Sequence, residues 1–251
     1  MKSIPADYQP APDLLHDRVV LVTGAGDGIG AAAARSFAAH GATVILLGKT
    51  IPKLEAVYDE IEQAGSPQAA IYPLDLEGAR YEHYQQLADT VEKEFGRLDG
   101  LLHNAAILGA RMMVEQYDLK LWARVLHVNL TAPFLLSRTC LPLLRKSADA
   151  SVMFTSTGVA QHGSAYWGAY GVSKAGADNL MQIMADELET NTPIRVNSID
   201  PGVVRTRMRR QAYPGEDASR LPLPETIMPA YLYLMGPDSR GETGEIFMAQ
   251  G

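Results

Sequence analysis

The stretch Arg18-Val19-Val20-Leu21-Val22-Thr23-Gly24-Ala25-Gly26-Asp27-Gly28-Ile29-Gly30 decides the fold. Val19 to Val22 is apolar without a break and rich in β-branched side chains, the pattern of a strand buried on both faces of a parallel sheet. The glycines at 24, 28 and 30 permit a tight turn, let a bound group approach the backbone and allow the next helix to pack closely on the sheet. That helix is read in the alanine-rich run from Ala31 to about Ala39.

Outward from this unit the same alternation recurs. Residues 42–47, 69–73, 98–103, 151–155, 194–198 and 245–248 read as six more strands. Between them lie helical spacings of apolar residues, such as Leu54, Val57, Tyr58 and Ile61, or Leu180, Ile183, Met184 and Leu188. Strand and helix in strict alternation imply right-handed crossovers. The expected fold class is therefore α/β, a single-domain, doubly wound, mostly parallel seven-stranded sheet with helices on both faces. A proline-marked leader covers residues 1–15, the domain runs over 16–251, and the irregular piece from Arg205 to Pro224 is a candidate substrate lid.

Composition narrows the function classes. A length of 251 residues with 47% apolar and 20% charged residues suits one ordinary globular domain. The formal net charge of -7 argues against nucleic acid as a partner, which calls for a basic face. The lone Cys140 excludes an intrachain disulfide, and prolines and acids interrupt the first fifteen residues where a signal peptide needs an apolar run. Nothing approaches the ~18 uninterrupted apolar residues of a membrane span. A cytoplasmic protein without membrane contact or bound metal is the expectation.

The glycine-rich turn between a buried strand and a helix predicts a pyrophosphate on the helix N-terminus, where unpaired N–H groups and the dipole favour an anion. Gly24, Gly26, Asp27, Gly28, Ile29 and Gly30 are the candidate contacts. The spacing Gly-xxx-Gly-x-Gly has one more loop residue than the general dinucleotide fingerprint, and no Gly-Lys-Ser/Thr follows, which excludes the Walker loop. Nicotinamide dinucleotide sites place an acid about 20 residues beyond the glycines for a ribose hydroxyl, or a base for a 2′-phosphate. Here Leu47-Gly48-Lys49-Thr50 offers Lys49 with no carboxylate nearer than Glu55, which favours NADP(H) and leaves NAD(H) possible; Asp27 is the opposing charge.

Tyr170 and Lys174 in Tyr170-Gly171-Val172-Ser173-Lys174 stand at i and i+4, on one face of the helix after the fifth predicted strand. A phenol with an ordinary pKa near ~10 needs an adjacent ammonium to serve as an acid–base group at neutral pH. Together with these residues, Asn104-Ala105-Ala106, Asp75-Leu76, Asn129 and Pro201-Gly202-xxx-Thr206 match the short-chain dehydrogenase/reductase family in order and spacing. Trp167-Gly168-Ala169-Tyr170, Asn179 to Gln182, Arg205 to Met208 and Leu234 to Arg240 resemble, more narrowly, its YciK-type bacterial oxidoreductases.

The resemblance implies an enzyme that interconverts a carbonyl and an alcohol by hydride transfer, with Tyr170 as general acid or base. It implies that Lys174 holds the nicotinamide ribose and depresses the Tyr170 pKa, and that Asn129 anchors a relay water. Asp75 and Leu76 would lie at the adenine, Asn104, Ala105 and Ala106 along the adenosine side, and Pro201, Gly202, Val203 and Thr206 at the carboxamide end. The family's substrate-fixing serine, thirteen residues before the tyrosine, is replaced by Thr157, with Ser156 as the alternative. The implied partners are a small carbonyl or alcohol and further copies of the chain, as a homodimer or homotetramer. Rival readings are a regulatory protein that binds NADP(H) without chemistry, and a 3-oxoacyl thioester reductase. Arg205, Arg207, Arg209 and Arg210 read first as a solvated helix face, Met181 and Met184 as core or subunit-interface filler, and Gly109 to Gln116 and the lid as the segments that set specificity.

Overall fold

The computed structural model describes residues 1–250; Gly251, where the expected domain ends, lies outside them. Strand β2 (Val19–Thr23) is buried at every position. Its side chains alternate between two cores, Val20 and Val22 on one face, Val19 and Leu21 on the other, as the period-two geometry of a strand requires. The next strands follow the same rule: β3 (Thr43–Gly48), β4 (Ala70–Pro73), β5 (Gly100–His103), β6 (Ser151–Thr155), β7 (Arg195–Asp200) and β8 (Ile246–Met248).

Helices α1 (Gly28–Ala39) and α2 (Ile51–Gln63) cover one face. Opposite them pack α3 (Tyr81–Phe95), α5 (Ala132–Leu144) and the 22-residue α7 (Gly168–Glu189). Helix α4 (Leu119–Leu126) runs into α5 through a π-helical turn, His127–Thr131. Short helices α6 (Gly158–Gln161) and α8 (Arg207–Ala212) follow β6 and β7, and α9 (Met228–Met235) returns to the first face. Met181 and Met184 are core residues.

With β1 (Lys2–Ser3) included, the sheet among the described residues has eight strands, all parallel, in the order β1-β8-β7-β6-β5-β2-β3-β4. The doubly wound expectation holds and the count of seven is corrected. The eighth is β1 (Lys2–Ser3), inside the expected leader, which pairs with β8 through Lys2↔Phe247 and Ser3↔Met248. The leader is thus docked: Tyr8 donates to Asp238 at 2.8 Å, and Leu15 is fully buried. Strand order reverses between β2 and β5, and the crevice beyond the carboxyl ends at that point is where such sheets bind ligands. No helix among the described residues is long and apolar enough to cross a membrane.

Candidate active site

A cleft of about 610 Å³ opens at this reversal. Its floor is the turn between β2 and α1, and each glycine there has a distinct reason. Gly24 has φ +68° and an added Cβ would stand 3.0 Å from the Ala105 Cα, whereas Gly30 lies outside the lining and a Cβ there would fall 2.2 Å from the Gly24 carbonyl oxygen. Thr23 fixes the turn to the next strand: its Oγ1 donates to the Leu102 carbonyl at 3.1 Å and accepts from the N–H groups of Asn104 and Ala105 at 2.9 and 3.0 Å. No side chain caps the first turn of α1, since Asp27 at the cap position turns to Lys53. That hydrogen bond and charge hold the Asp27 carboxyl below its usual range. Uncapped N–H groups at the end of a twelve-residue helix, with backbone room made by Gly24 and Gly28, fit a pyrophosphate.

At the far end of the cleft stand Lys49 and Lys53. The expectation that Lys49 meets no carboxylate is corrected, because folding brings Asp75 to 3.9 Å from its ammonium. Both side chains are about half exposed, so the pair is weak. Lys53, absent from the sequence reading, neutralises the Asp27 charge that had counted against a 2′-phosphate.

Helix α7 presents Tyr170, Lys174 and Asp178 at successive i+4 positions, all three buried. Tyr170 and Lys174 reach the cleft, and the Trp167 ring stands 5.7 Å from that of Tyr170. Lys174 Nζ donates to the Thr155 carbonyl at 2.6 Å, and burial pulls its pKa down to about 8 against the attraction of Asp178. The expected depression of the Tyr170 pKa is not what the polypeptide does. Burial pushes the phenol above its ordinary range and Asp200 adds to the effect, so Tyr170 is held protonated.

Asp178 gathers several of the hydroxyl and amide groups around it. Ser156 Oγ donates to its Oδ2 at 2.5 Å, alongside Gln161 at 2.7 Å, while Ser198 donates to Oδ1 at 2.7 Å. Ser156 and Thr157 both border the cleft, but the Ser156 hydroxyl is committed to Asp178. Asn129 sits in the π-helical turn, a distortion that recurs at functional sites. Its amide donates to the Ile107 carbonyl at 2.9 Å and to Ser173 Oγ at 3.0 Å, and its oxygen accepts from Ile107 N–H at 2.8 Å. Both amide hydrogens are thus taken.

Ile29, Leu76, Ala106, Pro201, Gly202 and Thr206 line the cleft as expected; Val203 does not, and Val204 takes its place. Thr206 caps α8 by accepting from Arg209 N–H at 3.1 Å. The arginine cluster is not a plain solvated face. Arg205 donates to the Ser219 carbonyl at 2.5 Å, Arg209 forks onto Glu216 at 2.7 Å through two nitrogens, and Arg207 borders the cleft.

His103, at the end of β5, is 4% exposed, bonded to Ser137 Oγ at 2.8 Å and packed on Phe154. Burial, with some repulsion from Lys174, lowers its pKa to about 3. The unfolded chain therefore takes up a proton that the folded one refuses, and stability present above about 6.5 drains away as pH falls toward about 3. Between neutrality and pH ~5 this costs about 2 kcal/mol. Urea midpoints of wild type and His103→Asn across that range should show a steeper acid loss in the wild type; parallel curves would refute it.

The family model for short chain dehydrogenase matches residues 18–217. The chain is 47% identical to the oxidoreductase YciK of Escherichia coli (strain K12) over 243 residues, 97% of this chain and 96% of that protein. A solved short chain dehydrogenase from Pseudomonas syringae is 56% identical with a TM-score of 0.96, covering 97% of this chain and 99% of that one. Another, from Escherichia coli CFT073 and complexed with NADPH, is 47% identical with a TM-score of 0.93, covering 96% and 100%. Both the broad and the narrower resemblance drawn from the motifs are borne out.

Proposed function

The chain belongs to the short-chain dehydrogenase family, and on that premise we propose that this oxidoreductase interconverts a carbonyl and an alcohol with NADP(H) in preference to NAD(H), using Tyr170 as general acid and base. The observation that carries the reading is the convergence of Tyr170, Lys174 and Thr157 on the cleft whose floor is the uncapped glycine turn. Thr157 positions the substrate oxygen and Tyr170 exchanges the proton with it. Lys174 holds the nicotinamide ribose, and its positive charge there supports the phenolate form when Tyr170 acts as a base. Asn129 retains one lone pair on its side-chain oxygen for a water that returns protons to Lys174. The nicotinamide, when bound, supplies or accepts the hydride.

Lys49 and Lys53 are the groups proposed to meet a 2′-phosphate, a reading in keeping with the NADPH bound in the Escherichia coli CFT073 relative. The described chain is read as one nucleotide-binding domain, its docked first fifteen residues included, whose segment 205–224 closes over the cleft. Phe134 on α5 and Val172 and Ile183 on α7, exposed by 44%, 51% and 48%, are the apolar positions at which copies of the chain would join as a dimer or tetramer.

A side-by-side fluorescence titration with NADPH and NADH tests the cofactor assignment without any knowledge of the substrate. Wild type should bind NADPH at least about tenfold more tightly, a difference of about 1.4 kcal/mol, and Lys49→Asp should erase most of it. Equal affinities in the wild type would remove the 2′-phosphate role from both lysines.

A further inference from the structure

Beside the cleft lies a second cavity of about 600 Å³, continuous with it through Leu108, Gln211 and Ala212. Arg111 is the sole charged side chain in its lining. The guanidinium carbon stands 4.9 Å from the ring centres of both Trp167 and Tyr213, which are themselves 6.0 Å apart, and one nitrogen donates to the Ala212 carbonyl at 2.6 Å. No carboxylate among the described residues pairs with it; the nearby acid Glu216 is forked onto Arg209, whose guanidinium lies 3.8 Å over the other ring, Tyr213.

The loop that carries Arg111 is fixed on its approach. Ile107 is bonded through both backbone groups to Asn129, Gly109 has φ +70° with no room for a Cβ beside the Tyr117 hydroxyl, and Ala110 N–H donates to that hydroxyl at 3.2 Å. Tyr166, across the cavity, is held at φ +72°, a costly backbone state for a bulky side chain that tends to mark functional positions. A preorganised, unpaired guanidinium stacked on rings is suited to recognising a carboxylate or similar anion through its remaining N–H groups. It serves the opposite end of the cleft from Lys49 and Lys53, and one indole separates it from the phenol, since Trp167 touches both Arg111 and Tyr170.

We infer that this second cavity receives the distal end of the substrate and selects carbonyl compounds bearing an anionic group, with Arg111 as the anion-binding residue. The inference rests on Tyr170 facing the reacting carbonyl, as proposed above.

The test is an equilibrium titration of the NADP⁺-loaded enzyme with pyruvate, acetoacetate, levulinate and the methyl ester of each, followed by indole fluorescence. At least one acid should bind about tenfold or more tightly than its ester, weakening as salt is raised. The acid-to-ester ratio should fall to near one in Arg111→Gln and be partly kept in Arg111→Lys, which retains charge but not the planar fork. NADPH affinity, measured on the same samples, reports that each variant is folded. Ratios near one for every pair in the wild type, or a ratio untouched by Arg111→Gln, overturn the inference. Because binding needs no turnover, acids that bind through Arg111 without being reduced in a Tyr170-dependent way would support this inference and count against the enzymatic reading alone.

Discussion

Replacing Tyr170 by phenylalanine is expected to lower kcat by about 10²- to 10⁴-fold, the range that a positioned general acid or base contributes. The ring stays, so its packing on Trp167 is preserved and NADPH affinity should change by no more than about twofold. Tyr170 borders the cleft, so losing its hydroxyl opens onto that space. Burial and Asp200 keep the hydroxyl protonated in the polypeptide, which suits proton donation during carbonyl reduction at neutral pH. Turnover of a carbonyl at an undiminished rate in this variant would take the acid–base role away from Tyr170. A wild type that binds NADPH yet turns over no carbonyl or alcohol would instead favour a regulatory protein.

Gly30→Ala should be the most damaging single methyl group in the chain's cofactor region. Its Cβ would lie 2.2 Å from the Gly24 oxygen and 2.6 Å from Asn104 Nδ2, so either α1 lifts off the strand or the turn is pushed outward. Overpacking of this kind costs about 1–3 kcal/mol, or several degrees in Tm for a chain of this size. The displaced turn carries the N–H groups assigned to the pyrophosphate, and NADPH affinity should fall at least about a hundredfold, near 2.7 kcal/mol. Gly78→Ala is the matched control, since a Cβ there meets nothing within 4 Å. If Gly30→Ala binds NADPH as well as Gly78→Ala does, the turn is not the cradle.

What the sequence disclosed depended on whether the signal was local. The strand from Val19 is legible because burial on both faces leaves no polar position to obscure it, and Gly24 and Gly30 because no other residue fits where they stand. Tyr170 and Lys174 share a helical face, so their spacing in sequence is their spacing in space. Partners that meet only across the fold left no such trace. Asp178 reads as an ordinary helix residue until β6 and β7 bring Ser156 and Ser198 to it, and Lys49 seems free of carboxylates until β4 delivers Asp75. The direction of the Tyr170 pKa is likewise a property of packing, because burial and the distant-in-sequence Asp200 both raise it. Strand β1 has two exposed residues and no apolar alternation, and only backbone pairing declares it.

That short strand sets the order in which the molecule can be completed. Residues 2 and 3 are made well before their partners Phe247 and Met248, with nearly the whole sheet encoded between them. At translation speeds of about 5–20 residues per second, the earlier segment waits more than about ten seconds for the one it joins. Until then β8 does not exist and the outer edge of β7 has no neighbour, the situation in which a growing sheet is most open to pairing with another nascent chain. That edge of the sheet is therefore completed by two segments from opposite ends of the sequence, and it cannot close until the later of them has been made.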